Sequence, residues 1–140
     1  MAPADLLGFW FSKNSEPHWF DSTYAFDAQV RTGFEGLWRQ ACDGQMMPWV
    51  ATPDGALALV ILLDQMPLNM FRDQPEGYST EALSREVAGR AIARGFDSRL
   101  GDKQKMFLYM PYMHSESLAD QNRAVDLFVQ AGLADNARWA

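Results

Sequence analysis

Apolar residues along this chain recur at steps of three and four, not of two. From Tyr24 to Ala41 the positions Phe26, Val30, Phe34, Leu37, Trp38 and Ala41 line one face of a helix. Gly44 is placed to stop it, as a glycine just past a helix commonly does. Thr52-Pro53 reads as a helix start: a capping hydroxyl, then a proline whose missing N–H costs nothing in the first turn. The run ALALVILL that follows, residues 56–63, is apolar on every side, so this helix belongs among the others at the centre.

A further helix is predicted from about Thr80 to Arg94, with Leu83, Val87, Ala91 and Ile92 as its stripe and Gly95 at its end. Lys103 to Met110 reads as the next, ended by Pro111. Another begins near Ser115 or Ser117, with Glu116 and Asp120 favourably placed in its first turn and Leu118, Val125 and Phe128 on its inner face. Residues 134–140 look like the start of one more. No segment alternates with period two over a useful length, so no strand is predicted. The connections are short turns such as Asp54-Gly55 and Pro75-Glu76-Gly77, which gives one all-α domain over residues 1–140. An echo between LLDQMPLNM (62–70) and FLYMPYMHS (107–115) suits stacked helical hairpins.

Composition narrows the class. With 48% hydrophobic and 13% aromatic residues the chain can bury a sizeable core. Its net charge of -6, with no lysine- or arginine-rich run, argues against nucleic acid and anionic lipid as partners. Cys42 is the only cysteine and is expected to be a buried, inert thiol, which leaves no thiolate cage for a structural metal. Asp5 and the short Phe9-Trp10-Phe11 stretch do not make an export signal. The longest apolar runs fall far below the roughly 18 residues of a membrane span. A cytoplasmic location off the membrane is the expectation.

Asp64 is the most informative charge. It extends the stripe of Leu57, Val60 and Ile61, so it faces inward near a helix C-terminus, where the macrodipole disfavours a carboxylate. Such a group needs a partner, and Arg72 or His114 could supply it. The alternatives for Asp64 are a structural ion pair and a functional role. Gln65 and Asn69 share that ambiguity, because amides at a helix break also satisfy loose backbone groups. Ser115 and Glu116 are ordinary helix-start chemistry, which leaves His114 unexplained. It is either packed and hydrogen-bonded or used for its near-neutral pKa. His18, beside Trp19, reads as exposed. The aromatic Trp38 reads as core, while Trp19 and Trp49 could line a groove. His114-Ser115-Glu116 fits the H-x-E of zinc deaminases but lacks their P-C-x-x-C. Joint metal ligation by Asp64, His114 and Glu116 has no recognised spacing. No metal and no cofactor is expected.

The stretches FWF (9–11), WFD (19–21), FDAQVRTGF (26–34), LALVILLDQMPLNMFRDQP (57–75) and FLYMPYMHSESLADQ (107–121) resemble a mainly bacterial, uncharacterised family, domain of unknown function 924. The resemblance rests on that family's D-Q-x-P-R-N and H-S-E segments. It implies an all-α, tetratricopeptide-like array of antiparallel helical hairpins with no sheet, and brings no established activity. Carried over by position, it singles out Asp64, Gln65, Pro67, Asn69 and Arg72, then His114, Ser115, Glu116 and Gln121. Leu68 stands where the family pattern has arginine, so that position is not expected to bind an anion here. The chain also ends at Ala140, before the family's C-terminal G-R-F-P-x-R-N segment. Trp139 would then lie on an uncovered final helix, and self-association as a homodimer is the expected consequence.

The combined expectation is a helical scaffold that binds a small molecule or peptide through Asp64, Gln65, Asn69, Arg72, His114, Ser115, Glu116 and Gln121, meeting where two helix breaks face each other. One alternative is a hydrolase in which His114 is general base, oriented by Asp64 or Glu116. The other is a purely structural clasp, which would be sealed from solvent with every group paired.

Overall fold

The structure is a computed structural model and describes residues 1–133; the helix expected over 134–140, with Trp139, lies outside the described residues. The described residues form helices α1 (Pro3–Trp10), α2 (Tyr24–Cys42), α3 (Pro53–Asp64), α4 (Met66–Met70), α5 (Glu81–Ala93), α6 (Asp102–Met113) and α7 (Leu118–Gln130). They contain no strand. The class is all-α.

Helix α2 starts where the Thr23 hydroxyl accepts from the Phe26 N–H, and buries Phe26, Val30, Phe34, Trp38 and Ala41. Gly44, at φ +79°, follows its end. Helix α3 starts where Thr52 accepts from the Gly55 N–H at 3.0 Å. From Gly55 to Asp64 every residue of α3 is buried. This helix packs against α1, α2, α5 and α6, which is what a helix apolar all round requires. Near α1, Trp10 and Phe107 meet edge to face, with ring centroids 5.7 Å apart.

The two prolines act differently. Pro67 stands in the first turn of α4 and separates it from α3. Having no N–H, it cannot bond back to the Leu63 carbonyl. That carbonyl accepts from the Thr80 hydroxyl instead, at 2.6 Å. Thr80 in turn accepts from the Trp38 indole N–H at 3.2 Å. Pro111, by contrast, does not end α6. It sits inside the last turn, where its ring forfeits a single donor, and the helix runs on to Met113.

Helix α7 is turned relative to the expected inner face. Ala124 and Phe128 are its buried residues, and Phe128 packs edge-on to Tyr109 of α6 at 5.7 Å. That contact rotates Leu118 (70% exposed) and Val125 (41%) to the surface, and Gln121 with them. Cys42 is also exposed, because Ala41 holds the inward position of the stripe. His18 is half-buried and stacks on Phe26 with ring centroids 4.8 Å apart. Trp49 is half-buried against the core. Trp19 packs there too and donates its indole N–H to the Trp10 carbonyl at 2.9 Å.

The start of α3 tolerates no side chain at Gly55, since an added Cβ would lie 2.1 Å from the Trp49 carbonyl oxygen. Gly55→Ala is therefore expected to cost about 1–3 kcal/mol. Gly33→Ala on α2, where an added Cβ meets nothing within 4 Å, is expected to stabilise by up to about 1 kcal/mol. Urea unfolding midpoints of the two variants check both signs.

Candidate functional site

The polar residues singled out by sequence do not converge on one point. They divide into two groups at the two ends of the break after α3.

The first group fastens α2 to the segment after α3. Arg72 donates from Nε to Asp27 Oδ2 at 2.6 Å and from Nη2 to Oδ1 at 3.1 Å. Asn69 donates its amide to Asp27 Oδ1 at 2.9 Å, and the Ser22 hydroxyl donates to the same oxygen at 2.7 Å. Of the two partners expected for Asp64, Arg72 or His114, Arg72 is not the one it meets. Helix α4 stops at Met70 and the chain bends through Asp73, at φ 62°, so Arg72 is carried toward α2. Burial alone would push the Asp27 carboxyl up. The hydrogen bonds from Arg72, Ser22 and Asn69, with the Arg72 charge, outweigh burial and hold it below the usual 3.8. Gln65, Leu68, Asn69 and Arg72 also line a small cleft of about 120 Å³ beside Trp19.

The second group centres on Asp64, whose side chain is fully buried at the end of α3. Its Oδ2 accepts from the Gln65 amide at 3.0 Å, and its Oδ1 lies 2.9 Å from Nδ1 of His114. A carboxylate only accepts, so Nδ1 carries the proton. His114 stands just past the last turn of α6. Burial would lower its pKa; the hydrogen bond to Asp64 and the charges of Asp64 and Glu81 outweigh this and raise it above the ordinary 6.5.

The imidazole itself is 29% exposed. It lines an open cleft of about 480 Å³ with Tyr78, Glu81, Arg85, Ser115 and Glu116. Among the described residues Nε2 has no hydrogen-bond partner. Glu81, at the start of α5, has its carboxyl raised above 4.5, by burial first and then by the Asp64 charge. Arg85 lies 3.9 Å from Asp120.

Ser115 and Gln121 are accounted for locally. The Ser115 hydroxyl donates to Asp120 at 2.7 Å and accepts from the Ser117 N–H at 3.1 Å. Gln121 donates to the Ser115 carbonyl at 2.8 Å. Both hold the turn that carries His114 into α7. Glu116 is exposed on the cleft rim. Among the described residues no three His, Cys, Asp or Glu side chains converge on a point that could hold a metal ion, and Asp64, His114 and Glu116 do not.

Sequence reasoning passed over Asp27, Glu81, Arg85 and Tyr78. Asp27 and Glu81 each stand in the first turn of a helix, where an acid is ordinary.

The profile of a family described as bacterial protein of unknown function, DUF924, matches residues 6–138. A solved protein of unknown function from Agrobacterium tumefaciens is 35% identical. It superposes with a TM-score of 0.90 over 97% of this chain and 78% of its own. No curated protein matches.

Two stability predictions follow from the two groups. Arg72 is half exposed and solvent screens its pair, so Arg72→Ala is expected to cost no more than about 1 kcal/mol at neutral pH. Because Asp27 is lowered in the folded state, its contribution is present above about 3.8 and is lost as pH falls through its folded-state value. Denaturation between pH 5 and 2 should show this loss in the parent and less of it in Arg72→Ala. His114 is raised, so its contribution is full below 6.5 and declines as pH rises through its folded-state value. Asp64→Asn is expected to cost about 3 kcal/mol below that window and to flatten the decline within it. Denaturant midpoints from pH 5 to 9 measure both effects.

Proposed function

The chain belongs to DUF924, a bacterial family of unknown function, and on that premise we propose a function from the site itself. The cleft over His114 binds a small polar molecule or the end of a peptide, and His114, oriented by Asp64, exchanges a proton with it. One observation carries this reading: the ring is held from behind by a fully buried carboxylate, while the other side of the same residue lines an open cleft with Nε2 unpartnered among the described residues. A proton-transfer group needs that combination of fixed orientation and access. A clasp would leave no such atom facing an open cleft.

The charges of the cleft bear on the ligand. His114 is countered by Asp64 and Arg85 by Asp120, so Glu81 and Glu116 remain as excess negative charge. With a chain of net charge -6, this disfavours polyanions and suits uncharged or cationic polar molecules. The polar contacts of Asp27, Asn69 and Arg72 are made within the fold and act as a fastening for α4.

N-acetylated amino-acid amides and methyl esters are small enough for the cleft and carry both donors and acceptors. Members of such a panel are expected to shift the His114 ring signals in carbon-13 NMR saturably at millimolar concentration. They should also protect Nε2 from diethyl pyrocarbonate in a His18→Gln background. A ring that reacts with nothing and is shifted by no panel member contradicts the proposal.

A further inference from the structure

We propose that Glu81 is the second proton-transfer group of this cleft, and that Glu81 and His114 together hydrolyse a small uncharged ester or amide without a covalent intermediate. The inference rests on the reading of the His114 cleft as a ligand site.

Glu81 is half-buried and lines the cleft from the start of α5, while His114 lines it from the end of α6. Among the described residues its carboxylate makes no hydrogen bond and no ion pair. The dipole of α5 favours an acid in its first turn but leaves both carboxylate oxygens unpartnered. Those oxygens are open to the cleft, where water or a ligand can reach them. Two unpartnered proton-transfer groups thus line one cleft. Of the hydroxyls on this cleft, Ser115 is engaged with Asp120 and the Ser117 N–H, Ser117 accepts the Asp120 N–H as the cap of α7, and Tyr78 is 59% exposed. Cys42 lies at the end of α2, outside the residues that line this cleft. Water is the nucleophile in this scheme.

The charged groups facing the pair assign the roles. Asp64 faces His114 from α3, Glu81 and Arg85 from α5, and Glu116 and Asp120 from the turn after α6 and the start of α7. The Nδ1–H of His114 is fixed on the Asp64 carboxylate, whose charge favours the imidazolium, while Glu81 stands in the first turn of α5, where the helix dipole favours the ionised carboxylate. The working pair is then Glu81 carboxylate with His114 imidazolium. Glu81 is therefore the base and His114 the acid, the reverse of the histidine role expected from sequence.

The step balances without any further reactant. Water oxygen bonds to the acyl carbon while Glu81 takes one water proton, and the carbonyl oxygen becomes the oxyanion, with the Arg85 guanidinium on the same cleft to oppose its charge. As the intermediate collapses, the bond from carbon to the leaving oxygen or nitrogen breaks and that atom takes the Nε2 proton. The proton on Glu81 then passes to His114 through water and restores the pair.

The test uses the whole chain with N-acetyl amino-acid methyl esters and amides, followed by mass spectrometry across pH 4 to 10. Turnover of at least one probe with a bell-shaped kcat/KM is expected. Glu81→Gln should lower kcat by 100-fold or more and remove the acidic limb, while the probe still shifts the His114 signals. Glu86→Gln, exposed on α5, should match the parent. Probes that bind without turnover, or parent-like kinetics in Glu81→Gln, overturn this inference and leave the binding proposal standing. Probes that neither bind nor react overturn both.

Discussion

A carboxylate at the end of the most buried helix is the constraint on which the rest of this structure depends. Asp64 closes α3 at its C-terminal end, where the helix dipole opposes a negative charge and no solvent reaches it. One residue earlier, Pro67 has stripped the Leu63 carbonyl of its helical donor. Two adjacent residues therefore present unmet demands, and the chain meets each from a distant segment. Thr80 bonds Leu63 and His114 bonds Asp64. The first brings the start of α5 to the break and the second brings the end of α6. The cleft lies between those two ends, so Glu81 and His114 face it as a consequence of how one helix break is satisfied.

The fastening of Asp27 to Arg72 and Asn69 acts on the same neighbourhood from the other side. It holds α4 and the bend at Asp73, from which the chain passes through the short turn Pro75–Tyr78 to α5. Gly77 lies in that turn, where an added Cβ would come within 3.2 Å of the Phe71 carbonyl oxygen. Tyr78, at its end, lines the His114 cleft. The two polar groups that the family resemblance treats as one are thus mechanically related and chemically different. In one the charges are opposed by fixed partners on a neighbouring helix. In the other a proton-bearing ring is left open.

Much of this was legible from residue spacing. The stripe of α2, the cap at Thr52, the centrality of α3 and the inward direction of Asp64 are local consequences of helical periodicity and capping. Partner choice was not. Asp27 and Arg72 are far apart in sequence, and nothing in either segment alone says that α4 ends early enough to turn Arg72 away from Asp64. Pro111 misled because a proline in a last turn removes only one donor, so the helix continues past it. In α7 the count of large apolar residues favoured Leu118 and Val125. The docking of Phe128 on Tyr109 set the register instead. Glu81 went unnoticed because an acid in a first turn has an ordinary explanation, and only the cleft shows that this one lacks a partner.

Asp64 holding Nδ1 of an otherwise accessible His114 is the interaction that everything at this cleft requires. Nitrogen-15 and carbon-13 NMR of the histidine rings, followed through a pH titration in the parent and in Asp64→Asn, reads that bond directly. The expected result is a proton on Nδ1 throughout, a His114 pKa above 6.5 in the parent, and a clear fall in Asp64→Asn. A His114 that titrates at or below 6.5 in the parent, unchanged by removing the carboxylate charge, would contradict it.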